Sequence, residues 1–178
     1  CVLSLKPTGA SGFEGLVRVV LNALTGVPFR LAAPGDQGGM DGDAATQGDA
    51  VSFEAKRYTG KIRRNDVIAK IAEFARSEDA ADRLWVLAAT TGVSSQLARR
   101  VREFGDNSDV STLIVDWTPS PLPMLSVAIV AAGDSAIDFL AQHDTSGTMP
   151  AGRRENLVEA FEAIRHHGHF DRQAVQLK

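Results

Sequence analysis

One stretch, residues 51–57, alternates between apolar and polar side chains and constrains the fold more than any other feature of the chain. In an extended strand, successive side chains point to opposite faces. The apolar members therefore share one face and the polar members share the other: Val51, Phe53 and Ala55 against Ser52, Glu54 and Lys56. The alternation predicts a half-buried strand that carries Glu54 and Lys56 on one face, roughly 7 Å apart.

Two interpretations of the Glu54–Lys56 pair remain open from the strand pattern alone. On an edge strand with a solvated face, the pair would be an ordinary ion pair without further meaning. Central strands rarely carry such a pair on one face unless something holds it there. In a central strand, Glu54 and Lys56 therefore indicate a functional site.

Helix and strand patterns around this stretch predict an α/β domain with a mixed sheet flanked by helices. The predicted elements follow the order α, β, β, β, α, β, α, β, and then only helices. Their ranges are a helix at 11–25, a strand at 29–33, a glycine-rich turn at 34–42 into a second strand, the strand at 51–57, a helix from 65 to 75, a strand at 84–89, a helix at 95–104, a strand at 112–117, and helices at 124–131, 135–142 and 155–166.

Local signals set the ends of these elements. Ser11 and Glu14 are spaced as a capping box at the start of the first helix. Asn65 is a capping residue for the second helix, and Gly105 ends the third. The continuous apolar run 84–89 is typical of a strand covered on both faces.

Length and composition narrow the class of protein. At 178 residues, the chain is long enough for one domain with a small appendage, which we divide into a core at 1–120 and a helical extension, or linker to a further domain, at 121–178. The chain does not begin with Met, and we expect it to be a piece of a longer polypeptide. Its single cysteine, Cys1, excludes an internal disulfide framework and a cysteine-rich zinc cluster. With no signal peptide or membrane span visible, we expect a cytoplasmic protein.

The chain as a whole is slightly acidic, but it contains a local basic patch. The net charge of −3 provides no overall basic field for a nucleic acid. A basic patch nevertheless lies within nine residues that contain no acid, with one aromatic side chain among them: Lys56, Arg57, Tyr58, Lys61, Arg63 and Arg64. Such a patch could hold a phosphate backbone. An ordinary solvated turn explains Arg63 and Arg64 equally well.

Three carboxylates lie in the glycine-rich segment before the alternating strand: Asp36, Asp41 and Asp43. Three anionic groups would repel a phosphate unless a cation lay between them. Hard oxygen ligands of this kind suit Mg²⁺ or Mn²⁺. A solvated Asp/Gly hairpin is the alternative.

Other residues that could carry chemistry have simpler explanations. His166, His167 and His169 lie near the C-terminus of a predicted helix, where cations are favourable without any metal. Trp85 and Trp117 fall in strand-like apolar runs and are predicted to be core residues.

Three ordered motifs resemble the PD-(D/E)xK nuclease superfamily, and its Mrr-type restriction endonucleases in particular. They are Gly12-Phe13-Glu14 at the helix start, the Gly-Gly-Met-Asp turn ending at Asp41, and the strand Phe53-Glu54-Ala55-Lys56-Arg57-Tyr58. Twelve residues separate Asp41 from Glu54, and the resemblance spans about residues 9–117. It implies a restriction-endonuclease-like αβββαβ core.

The resemblance also implies a mechanism. Asp41, Glu54 and the backbone carbonyl of Ala55 would hold one or two Mg²⁺ or Mn²⁺ ions, and Glu14 could join them. Lys56 would orient the attacking water and stabilise the transition state. The capping box, together with an ion pair to Arg18, is the competing explanation for Glu14.

The implied function is hydrolysis of DNA, mainly duplex, by the effector domain of a bacterial restriction or antiphage defence protein. Sensor or ATPase modules would lie outside this chain, and a homo-oligomer is compatible with this function. The alternatives are a nucleic-acid-binding or regulatory module that keeps the fold without turnover, and an interaction scaffold built on the C-terminal helices. No membrane partner is expected.

Overall fold

A computed structural model describes residues 1–32, 40–45, 49–58, 60, 62–77, 82–119, 121–143 and 152–177. The strands in this part of the chain are β1 (Arg30–Leu31), β2 (Gly42–Ala45), β3 (Asp49–Lys56), β4 (Asp82–Ala89) and β5 (Ser111–Val115). The helices are α1 (Phe13–Thr25), α2 (Arg64–Ser77), α3 (Ser95–Asn107), α4 (Met124–Ala131), α5 (Asp134–His143), α6 (Arg153–Arg165) and α7 (Phe170–Ala174). Short 3-10 helices precede α1 (Val2–Ser4) and follow α7 (Val175–Leu177).

The five strands form one open mixed sheet in the order β1-β2-β3-β4-β5. β1, β2 and β3 pair antiparallel, whereas β3, β4 and β5 pair parallel. The parallel half follows from the helices α2 and α3, each of which returns the chain to the start of the next strand. The predicted α/β class with a mixed sheet flanked by helices is therefore confirmed.

The two faces of the sheet are covered by different helices. On one face, α1 packs with α4 and α5 against side chains such as Phe53, Val86 and Ala88. On the other face, α2 and α3 cover Trp85 and Leu87. Burial of apolar surface in these two layers is the main driving force that holds the helices to the sheet.

β3 is a central strand, and this corrects the prediction of a half-buried one. β2 pairs with it on one side and β4 on the other. Ser52, Phe53, Glu54 and Ala55 are all buried, because helices cover both faces. The interpretation of Glu54 as part of a solvated edge strand is wrong for the same reason. By contrast, the prediction that β4 is covered on both faces is confirmed.

Several element ends differ from the predicted ones. α1 begins at Phe13, and its N-cap is Gly12 rather than Ser11, so no side chain caps it; Glu14 instead accepts a hydrogen bond from Gly9 N–H (2.7 Å). The predicted capping box is therefore wrong. α2 begins at Arg64, which places Asn65 within the first turn rather than at the cap.

The third helix also runs further than predicted, passing through Gly105 to Asn107. Gly105 packs closely against β5, since a Cβ there would lie 2.5 Å from Val110 O and 2.6 Å from a Thr112 methyl. Gly42 in β2 has a similar role, because a Cβ would lie 2.6 Å from Arg30 O and would clash with the Phe53 ring. These glycines allow close approach of neighbouring elements rather than a chain reversal.

The C-terminal helices pack on α1. α4 and α5 contact α1 directly, and α6 packs on α4 and α5. Their buried residues belong to the same apolar cluster as Phe13 and Phe53. Within the described residues, no single helix is long and apolar enough to cross a membrane. Taken together, α4 and α5 have the length and composition of a membrane span, but the pair is bent by 103°.

Candidate active site

Asp41 lies at the point where the pairing between β2 and β3 ends. Its N–H donates to Phe53 O (2.8 Å), and its carbonyl accepts from Ala32 N–H (2.9 Å). Its carboxylate then accepts the N–H of Ala55 at 2.7 Å. The side chain thus takes the place of the next backbone partner on β2, which fixes one carboxylate oxygen beside the middle of β3.

Ala55 presents its carbonyl to the same side of β3. In antiparallel pairing, the N–H and C=O of one residue point toward the same neighbouring strand. Ala55 N–H points toward Asp41, and Phe53 O, two residues earlier, also bonds to Asp41. The Ala55 carbonyl therefore points to the side where β2 has ended and Asp41 stands.

Glu54 projects from the opposite face of the sheet to Phe53, toward the layer formed by α2 and α3. It is fully buried, and its strand neighbour across the parallel pairing is Leu87. One carboxylate oxygen is ion-paired with the ammonium of Lys56. Apart from this contact, neither oxygen has a hydrogen-bond donor among the described residues. Burying a carboxylate with so few hydrogen-bond donors costs folding free energy. Such a group is unusual for a residue whose role is purely structural.

The environment of Glu54 disfavours its charge. Burial, reinforced by the nearby Asp41, raises the pKa of Glu54 from 4.5 to about 7, although Lys56 and Lys70 oppose the shift. Burial also raises the pKa of Asp41, against the lowering effect of the Ala55 N–H. Two carboxylates whose pKa values rise together in this way are suited to share a cation.

Lys56 stays charged despite its partial burial. Burial lowers the pKa of Lys56, but Glu54 and Asp41 together outweigh it, and the net pKa is raised. An ammonium held in this position can donate hydrogen bonds to an anion that approaches the two acids. The structure therefore brings the predicted residues Asp41, Glu54 and Lys56 together.

Glu14 reaches the same group from α1. Its side chain is half-buried, and its pKa is raised by burial and by the proximity of Asp41. Lys56 acts on it in the opposite direction, so Glu14 lies within electrostatic reach of both Asp41 and Lys56. The expected ion pair with Arg18 does not form: no contact within 4.0 Å joins the two described side chains. Within the described residues, the second carboxylate oxygen of Glu14 has no hydrogen-bond or ion-pair partner.

Lys70 is a neighbour of the site that the sequence did not single out. It lies on α2, half-buried and 3.4 Å from Glu73, and it lowers the pKa of both Asp41 and Glu54. A lysine on an amphipathic helix is normally solvated, and the spacing of Lys70 gives no other signal. Its position follows from the packing of α2 over the polar face of β3.

The basic patch is spread over several positions. Arg57 donates from Nη1 to Leu3 O (3.0 Å), and the carbonyl of Tyr58 accepts from the Thr90 hydroxyl (3.0 Å). Arg63 and Arg64 are exposed at the start of α2. Lys61 and the weaker candidate Asp36 lie outside the described residues. Among the described members of the patch, Lys56 forms an ion pair with Glu54.

The tryptophans and the C-terminal histidines lie outside this group of charged residues. Trp85 is buried as predicted, whereas the prediction for Trp117 is wrong: it is 40% exposed, because β5 ends two residues earlier at Val115. His166 and His167 are exposed and have local partners, with His166 Nδ1 2.8 Å from Glu162 O and the His167 ring beside that of His169. No metal site is formed there by the residues that the structure describes.

The residues around Glu54 fit a divalent cation by the chemistry of their donors. Two carboxylates and one backbone carbonyl are hard oxygen ligands, and Glu54 has buried oxygens that lack donors. In the present arrangement, however, no three acidic, histidine or cysteine side chains within the described ranges converge as a ready-made metal cluster. Lys56 instead neutralises Glu54.

No family model, no curated protein and no solved structure matches the chain.

Proposed function

We propose that the chain is a divalent-metal-dependent endonuclease that hydrolyses phosphodiester bonds of DNA, with duplex DNA as its main substrate. The observation that carries the proposal is the buried carboxylate of Glu54 on a central strand, ion-paired with Lys56 and adjacent to Asp41. A fully buried acid with two other charged groups beside it is typical of functional sites. The resemblance of the three motifs to PD-(D/E)xK nucleases supports the same assignment, as does an element order compatible with a restriction-endonuclease-like core.

Asp41, Glu54 and the Ala55 carbonyl would hold Mg²⁺ or Mn²⁺, with Glu14 as a further ligand. A bound cation would supply a water of lowered pKa and would offset charge on the scissile phosphate.

The protein's own groups have distinct tasks. The hydrogen bond from Ala55 N–H orients the Asp41 carboxylate toward β3. Lys56 would donate to the attacking water or to a phosphate oxygen, where charge develops in the transition state. The layer of α2 and α3 excludes bulk water from Glu54, which strengthens each of these interactions.

The basic residues at the end of β3 and the start of α2 would hold the phosphate backbone. We assign this role to Arg57, Tyr58, Lys61, Arg63 and Arg64, of which Arg63 and Arg64 are exposed. We further propose that the chain is the cytoplasmic effector part of a bacterial restriction or antiphage defence protein. Control would then come from other domains or from a homo-oligomer.

A plasmid cleavage assay with Mg²⁺ or Mn²⁺ tests the proposal. We expect Lys56→Met to lower the cleavage rate roughly 10²–10³-fold, because it removes a donor to the developing charge. Glu54→Gln, which keeps the shape but not the charge, should lose at least as much. Asp43→Asn, a carboxylate change two residues from Asp41, is the matched control and should cleave like the wild type.

Full activity in Glu54→Gln or Lys56→Met would refute the site, and absence of cleavage of any nucleic acid by the wild type would refute the function. The second candidate is a nucleic-acid-binding module without turnover. It is favoured by the absence, within the described residues, of three clustered metal-ligating side chains. Metal-independent DNA binding that persists in Glu54→Gln would support it.

A further inference from the structure

Lys70 is a cation beside the candidate active site that the proposed catalysis leaves without a task. It lies on α2, three residues after Val67 and four before Phe74, both of which are fully buried. Residues at these spacings are neighbours on one side of a helix. Lys70 therefore stands at the margin of the buried face of α2, and its side chain remains 34% exposed. A lysine in such a position buries its stem and keeps its ammonium in water.

The packing of α3 fixes the direction in which Lys70 points. Ile68 and Ala72, two residues before and after Lys70, line a groove between α2 and α3. Two residues turn a helix by about 200°, so Lys70 projects from the opposite side of α2. Because α3 packs against β5, this opposite side is the one toward β2. Met40, the neighbour of Asp41, indeed belongs to the same apolar cluster as the buried residues of α2.

The Lys70 ammonium acts on the acids of the site without touching them. Its charge lowers the pKa of both Asp41 and Glu54. Within the described residues, its ion-pair partner is Glu73, at 3.4 Å on the same helix and 44% exposed. An exposed pair of this kind contributes little to stability and is easily exchanged for another partner. The ammonium can therefore turn to an anion that approaches Asp41 and Glu54.

Lys56 and Lys70 differ in what offsets their charge. Lys56 is ion-paired with the buried carboxylate of Glu54, where little water screens the pair. The carboxylate of Glu73 lies in solvent, where water and salt weaken its hold on Lys70. Both ammoniums belong to the same face of the sheet, since Lys56 shares the face of Glu54 and α2 covers that face. This face thus carries two separate positive charges beside the acids.

We propose that Lys70 binds the phosphate next to the scissile one and so positions the DNA strand over Asp41 and Glu54. This role rests on the proposed function, since it takes the strand that these acids would cleave as the ligand. A DNA strand carries one negative charge per nucleotide, so two separate ammoniums can each meet a phosphate of their own. Lys56, in contact with Glu54, lies where the scissile group must be, which leaves the neighbouring phosphate for Lys70.

The salt dependence of DNA binding tests this contact. The Glu54→Gln protein, which should bind without cleaving, is titrated with a short labelled duplex at fixed Mg²⁺ and several NaCl concentrations. Adding Lys70→Met should weaken binding roughly fivefold at about 0.15 M salt and reduce the slope of log affinity against log salt by about 1. Lys70→Arg should keep both. Arg102→Met, which removes an exposed positive charge from α3, should bind like the parent.

Glu73→Gln separates a phosphate contact from a structural ion pair. If Lys70 only stabilised α2 through Glu73, removal of either partner would change DNA affinity in the same way. If Lys70 binds a phosphate, Glu73→Gln frees the ammonium and should not weaken binding, whereas Lys70→Met should. Both variants should keep the urea midpoint of the parent, because the pair is exposed. Equal losses of affinity in the two variants, or an unchanged salt slope in Lys70→Met, would overturn the inference.

Cleavage kinetics distinguish this inference from the proposed function. With Glu54 intact, Lys70→Met should raise KM several-fold and leave kcat within about twofold, since the contacted phosphate does not react. An unchanged KM would refute the role of Lys70 and leave the nuclease standing. A fall in kcat alone would assign Lys70 to the reacting phosphate and would also overturn the inference.

The binding measurements cover the remaining outcomes. If the wild type does not cleave DNA but Lys70→Met still lowers the salt slope, the nuclease fails and Lys70 stands as a phosphate contact of a binding module. Absence of DNA binding by the parent protein would overturn both.

Discussion

The two faces of β3 are buried to the same degree but are built in opposite ways. On the α1 side, Phe53 and Ala55 pack into a wholly apolar cluster. On the α2 side, Ser52 and Glu54 are fully buried; among the described residues the Ser52 hydroxyl has no hydrogen-bond partner, and the Glu54 carboxylate has none apart from the Lys56 ammonium. One strand thus stabilises the fold on one face and carries destabilising polar groups on the other.

This difference indicates that the two faces of β3 have different roles, one in stability and one in function. Burial of an aromatic ring contributes to stability through dispersion and the hydrophobic effect. A buried carboxylate costs free energy unless it is fully paired, and one ammonium satisfies only part of its capacity. Stability sacrificed at one position is common where a site must bind something else.

The largest effect on stability is expected on the apolar face. Phe53→Ala should lower the free energy of unfolding by roughly 3–5 kcal/mol, because it removes a fully buried ring and leaves a cavity against Phe29 and α1. Urea denaturation at neutral pH measures this change. Val51→Ala, on the same face but only partly buried, should lose less. A loss below about 1 kcal/mol for Phe53→Ala would contradict the comparison.

The polar face of β3 should make the free energy of unfolding depend on pH, an effect of intermediate size. Unfolded Glu54 loses its proton near pH 4.5, whereas folded Glu54 keeps it to about pH 7, so the folded state binds more protons in this window. The free energy of unfolding should therefore fall as the pH rises from 4.5 through about 7. The pKa shift from 4.5 to about 7 corresponds to roughly 3 kcal/mol.

Denaturation of the wild type and Glu54→Gln in EDTA, at several pH values, isolates this contribution. The glutamine amide of the variant cannot titrate, so the difference between the two proteins should grow in favour of the variant as the pH rises through this range. A difference that stays constant with pH would show that Glu54 is not held in the environment described here.

The smallest effect is expected at Ser52. Its hydroxyl is buried and unpartnered within the described structure, so Ser52→Ala should leave the free energy of unfolding unchanged or raise it by up to about 1 kcal/mol. Ser126→Ala is the matched control, because the buried Ser126 hydroxyl donates to Pro123 O at 2.7 Å. That variant should lose about 1 kcal/mol. Equal losses in both proteins would argue that Ser52 has a partner.

Much of the fold could be predicted from periodicity. The order of helices and strands through β5 follows the apolar patterns, and β4 was recognisable as doubly covered from its continuous run. The errors concern places where tertiary contacts override local signals. Gly105 is a helix stop by its sequence, but close approach to β5 requires a glycine there while the helix continues.

The candidate site was predictable in part. Alternation places Glu54 and Lys56 on one face, and in the structure the two side chains form an ion pair. The proximity of Asp41 and Glu14 to them required the resemblance, since no spacing rule joins residues on different elements. Lys70 and the exposure of Trp117 gave no sequence signal, because each depends on where α2 and the end of β5 come to lie.

The sequence by itself determined the α/β class, the element order and the shared face of Glu54 and Lys56, because these follow from backbone periodicity, which is a local property. Only the tertiary structure decided that β3 is central, that Glu54 is fully buried, and that Asp41 replaces a backbone partner of Ala55. The reason is physical. Burial and charge proximity depend on contacts between residues distant in sequence, and the raised pKa of Glu54 exists only once α2, β2 and β4 enclose it.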